Sequence, residues 1–250
     1  MIRLEDVTVA YGERVILNHI NLTVHAGETL AILGASGSGK STILRLIIGL
    51  QKPTSGKIYI RDQEITAYSE DQLDDVRRQM GMVFQYSALF DSMTVGENVA
   101  FGPKQRGTYS KEEIAAIVKD RLHLVGLDGT EDMMPNDLSG GMKKRVSLAR
   151  AIALNPKIIL YDEPTAGLDP LRCMDINRLI VSMQRHLQAT SLLVTHDMES
   201  AFYVADRLAY LENGVFRLIA PKDEFRQTTD RDVQAFIHGG EIPAERGQTI

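Results

Sequence analysis

The stretch Gly34-Ala35-Ser36-Gly37-Ser38-Gly39-Lys40-Ser41 sets glycines, a lysine and a hydroxyl at the spacing G-x-x-x-x-G-K-[ST]. That pattern suits phosphate. Glycines let the backbone curl so that its N–H groups face phosphate oxygens. A helix opening directly after the loop turns its positive end to the same place. Lys40 supplies a mobile cation for the β- and γ-phosphates, Ser41 a hydroxyl for Mg²⁺, and Thr42 closes the nucleotide-binding set. ATP and Mg²⁺ are the expected ligands. A glycine-rich turn matching by chance is the alternative, and the strand-like run before the loop and helical spacing after it argue against that.

A second chemical signal is Ile158-Ile159-Leu160-Tyr161-Asp162-Glu163-Pro164, an apolar strand ending in two acids. Such a strand delivers its last residues to the carboxyl edge of a sheet, where open α/β folds bind ligands. Asp162 is placed to hold Mg²⁺. Glu163 is expected on the opposite side by strand alternation, where it could polarise an attacking water.

The elements that must position these groups read as follows. Ile2–Val9 and Val15–Val24 alternate as two antiparallel strands around Tyr11-Gly12-Glu13. Strands are expected over Glu28–Leu33, Lys57–Ile60, Met80–Phe84, Lys157–Tyr161 and Ser191–Thr195, and a hairpin about Asn213-Gly214. Helices are expected over Ser41–Leu50, Lys111–Val125, Ser139–Leu154, Leu171–Leu187, Pro221–Gln227 and Arg231–Ile237. Residues 239 onward are polar and expected to be extended.

Composition narrows the class. The chain has 250 residues, 44% hydrophobic and 24% charged, as in an ordinary globular protein. A net charge of −5 disfavours a nucleic-acid partner. One cysteine, Cys173, suits a reducing compartment and reads as packing in a helix. The residues after Met1 lack a signal-peptide profile, and charge or glycine interrupts every apolar run short of a membrane helix. A cytosolic protein docked to a membrane by a partner is expected.

Further motifs give these signals a family. Leu138-Ser139-Gly140-Gly141-Met142 resembles the signature of the ATP-binding cassette (ABC) family and precedes the carboxylate pair, as it does there. Gln85 is similar to the Q-loop glutamine, Ala166-Gly167-Leu168-Asp169 to the D-loop, His196 to the switch histidine, and Tyr11 to the aromatic that stacks on adenine. The resemblance implies an α/β fold: a P-loop NTPase core of ABC type with an N-terminal antiparallel β subdomain and an inserted α-helical subdomain. One domain over residues 1–238 is expected, with the insertion at about 86–154 and a tail over 239–250. It also implies roles. Gln85 would meet Mg²⁺ or the attacking water and sense a membrane subunit, and His196 would bond the γ-phosphate. Asp169 would cross a dimer interface. Ser139, Gly140 and Gly141 would hold the γ-phosphate of ATP bound by the other copy. The implied assembly is a head-to-tail homodimer, peripheral on the cytoplasmic face of the inner membrane through transmembrane permease subunits.

Met142 departs from the usual signature glutamine and cannot donate an amide hydrogen bond, so the phosphate contact rests on Ser139 and main-chain N–H groups. Met142 followed by Lys143-Lys144-Arg145 resembles cassettes of MCE-type lipid-trafficking systems, including the Mla phospholipid transporter. The stretches Phe84–Val95 and Asp232–Ile237 are similar to theirs. That likeness implies phospholipid as cargo and an MCE-type lipid-binding protein as partner. The rivals are an importer of amino acids or another small solute, a non-transport ABC ATPase, and a nucleotide sensor without turnover. Met142 counts against the first, the lack of tandem cassettes against the second, and Glu163 with His196 against the third.

Overall fold

The computed structural model describes residues 1–238; the expected extended tail over 239–250 lies outside the described residues. Two sheets form. β1 (Ile2–Tyr11), β2 (Arg14–Val24), β4 (Ser55–Ile60) and β5 (Gln63–Glu64) make an antiparallel sheet in the order β2-β1-β4-β5. The larger sheet runs β10-β9-β3-β8-β7-β6, from β3 (Thr29–Leu33), β6 (Met80–Val83), β7 (Ile158–Asp162), β8 (Thr190–Thr195), β9 (Arg207–Glu212) and β10 (Val215–Pro221). Its strands are parallel except for the β9–β10 hairpin at the edge.

β3 and β8 are buried along their whole length, as strands covered on both faces must be. Period-2 alternation divides them between two cores. Leu30, Ile32, Ile158, Leu160, Leu192 and Val194 join a core shared with the antiparallel sheet and α1 (Lys40–Ile47). Ala31, Leu33, Ile159, Tyr161 and Leu193 face the other core, which takes in α3 (Val95–Arg106), α4 (Lys111–Leu124), α5 (Gly140–Ala151) and α6 (Pro170–Leu187). α7 (Met198–Val204), α8 (Lys222–Arg226) and α9 (Arg231–Ile237) complete that side. The sheet is thereby held between two apolar layers, and its carboxyl edge, carrying the loops after β3, β6, β7 and β8, is left for chemistry.

The expected strands and helices form with ends moved by a few residues. Three helices were not anticipated, α2 (Glu70–Arg77), α3 and α7. α2 and α3 each start with a reciprocal cap, Ser69 with Gln72 and Thr94 with Glu97, a pattern present in the sequence, and α7 is capped by Asp197, whose side chain accepts from the Glu199 N–H. α3 carries Pro103 and two glycines, which weaken its helical signal, so packing of Val95, Val99 and Ala100 must hold it.

Candidate nucleotide site at the carboxyl edge of the sheet

The loop from Gly34 leaves β3 and ends at Gly39, the N-cap of α1. Two glycines are dictated by geometry. A Cβ on Gly34 would lie 2.3 Å from the Leu211 carbonyl oxygen. Gly39 has φ 107°, and a Cβ there would lie 2.7 Å from Leu17 Cδ2. Lys40 is buried, its ammonium donating to the carbonyls of Gly34 (2.7 Å) and Ala35 (3.0 Å). Burial pulls its pKa below the ordinary lysine value, against the opposing pull of Glu163 and Asp162.

Ser41 Oγ donates to Asp162 Oδ1 at 3.1 Å, joining the first turn of α1 to the end of β7. These are hard oxygen donors side by side, the chemistry Mg²⁺ takes. Burial pushes the Asp162 carboxyl above its ordinary value, while the Ser41 bond works the other way.

Glu163 is not placed by strand alternation. It leaves β7 with φ 46°, a left-handed conformation costly for a side chain with a Cβ, and its N–H donates to the Val194 carbonyl at 2.9 Å. The turn aims its carboxylate across to the end of β8. There Thr195 Oγ1 donates to Oε2 (3.1 Å), and His196 Nδ1 lies 3.0 Å from both oxygens. The His196 side chain is 61% exposed and that of Glu163 12%. Thr195 was missed from sequence; its signal is its place as the last strand residue before the histidine.

Gln85 follows β6, and its carbonyl accepts a bond from the Lys144 ammonium, which also reaches the Glu163 carbonyl at 3.5 Å. Gln85 and Glu163 are therefore neighbours through one side chain. Tyr11, 59% exposed, ends β1 beside the turn into β2. Next to that turn, Arg14, Val15 and Ile16 line a cleft of about 420 Å³ with Ala35–Ser38 of the phosphate loop.

The signature stands apart. Ser139 caps α5 by accepting from the Met142 N–H at 3.3 Å, and both Ser139 and Gly140 are exposed. Ser139, Gly141 and Met142 line a hollow of about 290 Å³ with Arg145, Arg172 and Asp175, and no phosphate-loop residue takes part. Met142 packs partly into the core. Asp169 caps α6, accepting from the Arg172 N–H at 3.1 Å, and is half-exposed. Within one chain, Lys40, Ser41, Asp162, Glu163, Thr195 and His196 assemble, and the signature serine is not linked to them.

Among the described residues no helix is long and apolar enough to cross a membrane. The family model described as "ABC transporter" matches residues 17–166. The chain is 40% identical over 237 residues to the Fe(3+) ions import ATP-binding protein FbpC of Escherichia coli O157:H7, covering 94% of this chain and 66% of that protein. It is 43% identical over 218 residues to the methionine import ATP-binding protein MetN of Shigella boydii, covering 86% and 63%. The chain thus spans about two thirds of the length of these curated relatives. A dimeric post-hydrolysis structure of the ATP-binding cassette MJ0796 bound to ADP and Pi superposes with a TM-score of 0.82 at 36% identity, over 89% of this chain and 99% of that one. With the phosphate loop, the paired carboxylates and the cassette fold in place, this chain belongs to the ABC transporter family and is an ATPase domain of it.

Proposed function

We propose that this chain hydrolyses ATP to drive a transporter, working as two copies on permease subunits at the cytoplasmic face of a membrane. The observation that carries the reading is the Glu163 carboxylate, held by Thr195 and His196 on the sheet edge that also presents Ser41, Asp162 and the phosphate loop. Lys40 and the loop N–H groups bind the phosphates, and Tyr11 supports the base. Ser41 and Asp162, with Gln85 nearby, would hold Mg²⁺, which when bound neutralises phosphate charge. Glu163 takes a proton from the attacking water. His196, mostly exposed, is free to turn from Glu163 toward the γ-phosphate. The separation of Ser139 from the phosphate loop supports a second copy lending its signature, with Asp169 at the junction, in a closed twofold pair.

The names of the relatives, iron and methionine importers, favour a small-solute importer, the reading that ranked behind phospholipid in the sequence. Phospholipid transport with an MCE-type partner is supported by Met142 and its basic followers and by the stretches Phe84–Val95 and Asp232–Ile237. Purification from native membrane separates the two. A co-purifying solute-binding protein, with hydrolysis stimulated by its solute, assigns import; bound phospholipid and an MCE-type protein assign lipid traffic. Hydrolysis itself is tested on the purified chain and its membrane complex, where loss of turnover in Glu163→Gln with ATP binding kept is the expected result.

A further inference from the structure

Lys144 lies in α5, is 5% exposed, and forms no ion pair among the described residues. In sequence it belongs to a basic run, Lys143-Lys144-Arg145, and lysine side chains ordinarily keep their charge in water. Folding instead buries it alone, while Lys143 and Arg145 stay partly exposed. Burying an ammonium without a carboxylate is costly. Burial pulls its pKa below the ordinary lysine value, with Glu163 and Cys173 pulling the other way. Methionine or glutamine would pack there at less cost, so the cation calls for an explanation in what it touches.

It touches two main-chain carbonyls, those of Gln85 and Glu163. The sheet register makes the choice informative. β6 and β7 are parallel neighbours whose last pair is Val83 with Tyr161. Two residues further along each strand stand Gln85 and Glu163. There the ladder has ended, and one ammonium spans the gap. The Glu163 carbonyl also accepts from the Ala166 N–H at 3.1 Å, and the residue holds φ 46°. The loop beyond Gln85 is fastened to the same helix: Arg150 donates to the carbonyls of Ser87 (2.8 Å) and Ala88 (2.6 Å). Both of those residues are left-handed, φ 63° and 47°, and so depend on such support.

We propose that Lys144 is a positioning residue for hydrolysis, clamping the Gln85 loop to the backbone of Glu163 so that loop position sets the aim of the carboxylate. This rests on the hydrolysis reading above. Lys144 touches no reacting atom in this role. Its effect falls on turnover, because a carboxylate misplaced by about 1 Å can cost about 100-fold in rate, while the phosphate loop that binds ATP is untouched.

The test compares full-length wild type, Lys144→Met and Lys144→Arg by ATP turnover, melting temperature and amide hydrogen exchange. In Lys144→Met, kcat is expected to fall about tenfold or more with KM within about threefold. Exchange should rise together at residues 85–88 and 163–166 and stay unchanged in α1. Lys144→Arg should recover a good part of kcat. Wild-type turnover in Lys144→Met overturns the clamp, as does a parallel loss of kcat, ATP affinity and melting temperature that arginine does not relieve. If Lys144→Met fails to fold, Lys144→Gln must show the same split and the same paired exchange, or the proposal falls. A wild type inactive even with its membrane partner would defeat the hydrolysis reading, while exchange at the two segments would still decide the clamp.

Discussion

Lys40 shows how a residue proposed to meet a ligand can be held in place within one chain. Its ammonium sits on two carbonyls of its own loop, where the positive end of α1 also points. Charge-assisted bonds of this kind contribute roughly 1.5–3 kcal/mol each. Lys40→Ala is therefore expected to weaken ATP binding by about 10-fold or more, read by equilibrium titration with a nucleotide analogue, and an unchanged affinity would remove the phosphate-loop assignment. Glu163 is the contrasting case. Its aim depends on a strained backbone and on Thr195 and His196, so under the proposed reading its loss falls on rate. The motifs at this scale were legible because phosphate binding needs particular residue types at fixed spacing. The aim of Glu163 was not, since a left-handed turn at a glutamate leaves no mark in the sequence.

At the scale of elements, close approach decides what the strands and helices tolerate. Gly81 in β6 has no room: a Cβ would stand 2.2 Å from the Ala151 carbonyl oxygen at the end of α5. Gly102 in α3 has room, its nearest neighbour being a Leu154 methyl at 3.4 Å. Gly81→Ala is expected to destabilise by about 1–3 kcal/mol or more, since backbone must shift. Gly102→Ala is expected to change stability by no more than about 0.5 kcal/mol, because the gain in helix propensity is offset by crowding of the new Cβ against Pro103. Urea denaturation of the pair checks this, and equal effects would show that close packing of β6 on α5 is unimportant. α2 and α3, both unforeseen, belong to the same lesson. Their caps, Ser69–Gln72 and Thr94–Glu97, are readable, yet α3 survives its glycines and Pro103 only through core contacts. Another support is Asn98, fully buried, whose amide bonds the carbonyls of Phe90, Met93 and Thr94 and so braces the loop after Gln85. Asn98→Ala is expected to cost about 2–3 kcal/mol and lower Tm by about 4–10 °C, measured by calorimetry.

At the scale of the molecule, one chain keeps two groups of residues apart: the phosphate loop with its carboxylates in one place, and an exposed Ser139 and Gly140 in another. If two copies complete each other, ATP is their bridge, and blocking its hydrolysis should lock them together. Glu163→Gln with ATP is expected to elute as a dimer at twice the monomer mass in light scattering, and to return to monomer when ATP is replaced by ADP. A Glu163→Gln chain that stays monomeric at saturating ATP would contradict the shared-site arrangement.

Taken alone, the sequence determined the nucleotide chemistry, the alternation of strand and helix, and the family resemblance, because each depends on local spacing that few other folds require. The tertiary structure decided which of those residues meet. It joined Ser41 to Asp162 across 121 positions of chain, turned Glu163 onto Thr195 and His196, and drew one lysine out of a basic run into the gap between two strands. Such meetings depend on sheet order and on how the two cores close around it, which local spacing does not encode.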